Sequence, residues 1–68
     1  MEHGIIADWI TNRGFGLIKP DAGGDYVFCH ITMMPSGITP VAGMRVAYNI
    51  IEGTRSGKPR ARDVQVLS

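Results

Sequence analysis

Two short runs hold the residues best suited to chemistry. They are Arg13-Gly14-Phe15-Gly16-Leu17-Ile18 and Tyr26-Val27-Phe28-Cys29-His30-Ile31. In extended strands alternate side chains share a face. Phe15 and Leu17 then fall together, as do Tyr26, Phe28 and His30. The other set, Ile18, Val27, Cys29 and Ile31, is apolar and reads as core. Rings and an imidazole turned outward on neighbouring strands mark a binding surface. The chemistry they suit is stacking on unpaired bases, each contact being worth about 1–3 kcal/mol. Gly14 and Gly16 leave clearance around Phe15. Arg13 and Lys19 bracket the ring strand, where phosphates would run. His30 offers both a stacking face and a hydrogen bond. The plainer alternative is that both phenylalanines only pack the sheet and His30 is a solvated surface residue.

Such groups need a rigid scaffold. Nine glycines and four prolines interrupt the chain every few residues and leave little room for a helix. The intervening pieces, 4–11, 14–19, 26–31, 44–51 and 60–67, are short, rich in β-branched and aromatic residues, and bounded by turn residues. Residues 20–25 form a turn by composition, 32–43 an irregular stretch, and 52–59 a hairpin connection. Five strands in 68 residues predict an all-β fold, a five-stranded antiparallel barrel of the oligonucleotide/oligosaccharide-binding (OB) type, which leaves no exposed edges. A small SH3-like barrel is the competing architecture. Arg62 and Val64 share a parity, so the last strand is expected to carry a bulge. Tyr48 suits packing, and Met33 and Met34 suit anchoring of the irregular stretch or contact with a partner.

Length allows one domain, 1–68. The net charge of +1 neither argues for nucleic acid nor excludes it. Four of the seven basic residues, Arg55, Lys58, Arg60 and Arg62, lie close together. They fit a solvated hairpin tip or a phosphate-binding rim. The one cysteine excludes an internal disulfide and fits a reducing compartment. No apolar run nears the roughly 18–20 residues of a membrane span, and the N-terminus does not look like a signal peptide. A cytoplasmic protein is expected. No spacing suits a metal, so no metal or cofactor is expected. Enzyme classes fare poorly: Gly14-Phe15-Gly16 does not open a helix, and no nucleophile or carboxylate pair is arranged for catalysis.

The two runs, in this order and at this spacing, resemble the ribonucleoprotein motifs of the bacterial cold-shock domain, commonly Lys-Gly-Phe-Gly-Phe-Ile and Val-Phe-Val-His-Phe. The strand starting at Gly4, the link from Lys19 to Phe28, and the tail from Glu52 to Val64 are similar to that family as well, so the resemblance spans essentially the whole chain. It implies an OB barrel that binds single-stranded RNA or DNA with little sequence preference, in roles such as RNA chaperone or stress-type regulator. By the same resemblance Phe15, Phe28 and His30 match stacking positions and Arg13 a basic contact. Alignment without gaps on Gly4 puts Asp8 at the family's tryptophan and Trp9 at the next ring. A one-residue slip would return Trp9 to the stacking position.

This chain also departs from the pattern. Leu17 stands for a stacking phenylalanine, Ile31 for the ring after His30, and Ala7 or Asp8 for a lysine. The basic cluster from Arg55 to Arg62, with Arg60 and Arg62 as its contact candidates, is expected to offset the lost rings through salt-dependent phosphate contact. The candidate contact set is Trp9, Arg13, Phe15, Leu17, Lys19, Phe28, His30, Arg60 and Arg62. The second reading is a protein-interaction module that keeps the barrel and has lost much of the binding face. A monomer is expected; the irregular stretch would permit a domain-swapped dimer.

Overall fold

A computed structural model describes residues 1–51 and 59–67. The elements are β1 (Glu2–Ile10), β2 (Phe15–Pro20), β3 (Val27–His30), a 3₁₀ turn (Ile31–Met33), β4 (Arg45–Ile51) and β5 (Arg60–Val66). They form a closed barrel in the order β1-β2-β3-β5-β4. The expected five-stranded OB-type barrel is therefore present. One seam differs from the all-antiparallel expectation: β3 meets β5 in parallel at Phe28 and Arg60. The Phe28 N–H donates to the Pro59 carbonyl there, at 3.1 Å. The proposed connection 52–59, with Arg55 and Lys58, lies outside the described residues except for Pro59.

The core follows the period-two pattern. Ile6, Ile18, Val27, Cys29, Val46, Tyr48, Ala61 and Val64 point inward and are buried. Tyr48 is thus a packing residue. Met34 is buried and Met33 packs against the core, so this pair anchors the stretch after β3. Ile31 corrects the expected core set, being 39% exposed. The cause is local: β3 ends at His30 and Ile31 opens the 3₁₀ turn, so alternation does not reach it.

Two bulges decide which side chains reach the outside. In β1, Ile6 pairs with Ile18 but Asp8 pairs with Leu17, leaving Ala7 unpaired. In β5, Ala47 pairs with Gln65 and Asn49 with Arg62, so two residues of β5 oppose Tyr48. Asp63 sits in this second bulge at φ 51°, a left-handed conformation that aspartate tolerates better than most residues. By contrast, β2 and β3 pair without interruption from Phe15–His30 to Ile18–Val27. The tight turn between β1 and β2 depends on Gly14, whose φ is 73°. Its N–H donates to the Ile10 carbonyl at 3.0 Å and its carbonyl accepts from Ile31 at 2.8 Å.

An ion pair fastens the next turn. Both terminal nitrogens of Arg45 donate to the Asp21 carboxylate, at 3.1 and 2.7 Å. That hydrogen bond, chiefly, holds the Asp21 carboxyl below its ordinary range and raises the guanidinium. Both groups are solvent-exposed, so the pair orients the turn more than it stabilises the fold. Among the described residues no helix is long and apolar enough to cross a membrane.

Candidate nucleic-acid interface

The regular β2–β3 ladder sets the geometry of the outer face. Phe15 lies opposite His30, and Leu17 opposite Phe28. The two phenylalanines therefore meet on the diagonal, with ring centroids 5.1 Å apart and planes 26° from parallel. Both are only half-buried. Each residue therefore leaves part of its apolar area facing solvent. From the parallel seam, Arg60 reaches over Phe28, its Cζ 5.2 Å from the ring centroid. A guanidinium so placed gains cation–π attraction and extends the flat surface by one planar group. Phe15, Phe28 and Arg60 thus form a continuous row.

His30 lies beside the row, opposite Phe15. Its Nδ1 accepts from the Thr32 N–H at 3.2 Å and lies 3.0 Å from the Thr32 hydroxyl. An accepting Nδ1 requires the tautomer with the proton on Nε2. The imidazole therefore caps the 3₁₀ turn with one nitrogen and presents an N–H donor with the other.

Two hollows open along the row, one beside Phe28 and one beside Arg60. One, of about 360 Å³, is lined by Leu17, Asp25, Tyr26 and Phe28. The second, of about 230 Å³, includes His30, Thr32, Met33 and Arg60 in its wall. Tyr26 is 49% exposed, on the same side as Phe28. Its outward placement was legible from alternation. Asp25 was not, because it precedes the strand and only the folded turn brings it to the hollow.

Arg13, Lys19, Arg60 and Arg62 are exposed, but they are placed differently. Lys19 lies on the outer face at the end of β2, opposite Ile5. Arg13 is in the β1–β2 turn. Arg62 follows Arg60 on β5, and its Nε is 3.8 Å from the Asp63 carboxylate, a loose contact in solvent. Arg13 and Lys19 flank the row at the two ends of β2, while Arg60 and Arg62 rim it on β5.

Trp9 is set apart from this assembly. Simple alternation from the inward Ile6 would send Asp8 in and Trp9 out. The bulge at Ala7 reverses both. Asp8 lies opposite the outward Leu17, and Trp9 lies opposite the inward Gly16 and packs on the core. A Cβ on Gly16 would collide with the indole and with the Asp8 carbonyl. The glycine therefore makes room for Trp9, not for a base beside Phe15. Asp8 thereby adds an exposed carboxylate to the outer face.

Cys29 lies beneath the row and is fully buried. Burial pushes its thiol up to about 11, so thiolate chemistry is suppressed. Among the described residues no group of three His, Cys, Asp or Glu side chains could hold a metal ion.

Comparison with known proteins gives a consistent result. Residues 2–67 match the model of the 'cold-shock' DNA-binding domain. The chain is 34% identical to cold shock protein CspA of Rhizobium meliloti over 67 residues, covering 96% of this chain and 97% of that protein. It is 31% identical to the probable cold shock protein y4cH of Sinorhizobium fredii, with the same coverage. A cold shock domain-containing protein of Drosophila melanogaster, CG9705, is 34% identical over 47 residues, 69% of this chain and 33% of that longer protein.

Proposed function

Starting from the fact that this chain belongs to the cold-shock domain family of nucleic-acid binders, we propose that its β2–β3 face holds single-stranded RNA or DNA by stacking. The observation that carries this is the solvent-facing row of Phe15, Phe28 and Arg60, flanked by two hollows. Bases stack on the rings, with Leu17 as an apolar support of lower value. The His30 Nε2–H donates to a base carbonyl or a phosphate. Arg13, Lys19, Arg60 and Arg62 contact phosphates along the rim. Trp9 supports the face from within. Stacking of this kind accepts any base, which suits an RNA chaperone that keeps strands single. All the groups named come from one chain, so a monomer suffices. The cytoplasm, where a lone thiol stays reduced, is the matching compartment.

The interaction-module alternative draws on Leu17 and Ile31, which stand where the family carries rings. One titration separates the two. Labelled oligo(dT) and a mixed-sequence RNA are followed by anisotropy at low and moderate salt. Saturable binding is expected, and with four phosphate contacts log K falls against log salt with a slope of about −3. Absence of binding at low salt contradicts the proposal and favours the alternative.

A further inference from the structure

The hollow beside Leu17 combines apolar walls with a carboxylate. Its walls are Tyr26, Phe28 and Leu17, and its one charged group is the Asp25 carboxylate. A carboxylate is acceptor-only, with two oxygens. It repels phosphate, so what faces it must be a base edge carrying N–H donors. Uracil and thymine present a single N–H between two carbonyls, and those carbonyls face a like partial charge. Adenine and cytosine present one amino group beside an acceptor nitrogen. Guanine alone presents two adjacent donors, N1–H and the N2 amino group, which match two carboxylate oxygens in a charge-assisted pair. The flanking rings supply the stacking that holds such a base in place.

We propose that this hollow is a guanine-selecting subsite, with Asp25 as the specificity-determining residue and Tyr26 as the ring that completes it. The assignment rests on the face binding single strands at all. It gives one position of the strand a base preference within an otherwise indifferent row. Tyr26 also restores, one strand away, part of the aromatic surface that Leu17 fails to supply.

The test compares oligo(dT), the same strand with one central guanosine, and the same strand with inosine, which lacks the N2 amino group. Guanosine is expected to tighten binding about tenfold, within the range of a bidentate base contact, and inosine to lose most of that gain. Asp25→Asn removes the difference while oligo(dT) binding stays as tight or tightens slightly. Tyr26→Ala weakens all three strands alike. Both positions are exposed, and unchanged Trp9 fluorescence verifies that each variant is folded. Equal affinity for guanosine and thymidine strands, with oligo(dT) still bound, overturns the subsite and leaves the stacking face intact. Failure of every strand to bind overturns both.

Discussion

β2 belongs to two ladders, and they differ by one residue. Toward β3 the pairing is regular, and side chains read as in and out without error. Toward β1 the ladder slips at Ala7, and every outward assignment beyond it is reversed. Two aromatic residues on neighbouring strands consequently have different roles. Phe15, on the regular side, faces solvent in contact with Phe28. Trp9, beyond the bulge, packs over Gly16 and the core. The lesson is that residue type nominates a contact residue, whereas register decides whether it faces solvent or the core.

Substitutions on the two ladders should therefore separate binding from stability. The largest effect on binding is expected from Phe28→Ala, which removes the central ring and the seat of Arg60. The loss of one stack is about 1–3 kcal/mol, or roughly fivefold to more than a hundredfold in Kd. Thermal stability should change little, because the ring is half-exposed. Gly16→Ala should do the reverse. The new methyl meets the indole and a backbone carbonyl, costing about 1–3 kcal/mol of stability, visible as a lower Tm and a shifted Trp9 emission. If this variant binds poorly yet melts normally, Trp9 is part of the binding face and the comparison fails.

Smaller changes sharpen the contrast. Leu17→Phe adds a ring beside Phe28 and should tighten binding several-fold, toward the value of about 1 kcal/mol for a modest stack. Arg60→Ala loses cation–π contact and one phosphate partner. About 0.5–1 kcal/mol is expected, with a salt slope shallower by about 0.7. The smallest expected response is that of Cys29. With its thiol raised to about 11 and fully buried, it should stay unreactive toward a disulfide reagent at neutral pH until the barrel unfolds. Fast labelling of the native protein would contradict the packing.

The legible parts of the fold follow the same division. Val27, Cys29 and Ile18 alternate with Tyr26, Phe28 and Leu17, so the sequence sufficed to locate the core and the ring row on the regular ladder. The bulge in β5 left its own signal, because Arg62 and Val64 share a parity that a regular strand would not allow. The bulge in β1 left none: Ile5, Ile6 and Ala7 are all apolar, and nothing local reveals which of them is unpaired. That is why the orientation of Trp9 and Asp8 needed three-dimensional pairing. Ile31 escaped for another reason, since the His30 cap on Thr32 ends the strand one residue early. The partnership of Arg60 with Phe28 depends on the parallel seam between β3 and β5, a long-range contact invisible to any local pattern.

The central claim is that single strands lie on Phe15, Phe28 and Arg60 and not on Trp9. A nuclear magnetic resonance titration with a short oligo(dT) tests it most directly, following the phenylalanine ring protons, the His30 and Arg60 side-chain signals and the Trp9 indole N–H. Large saturable shifts at Phe15, Phe28, His30 and Arg60, with the indole N–H nearly still, are predicted. Binding that shifts the Trp9 indole most, and leaves both phenylalanine rings unmoved, would contradict it.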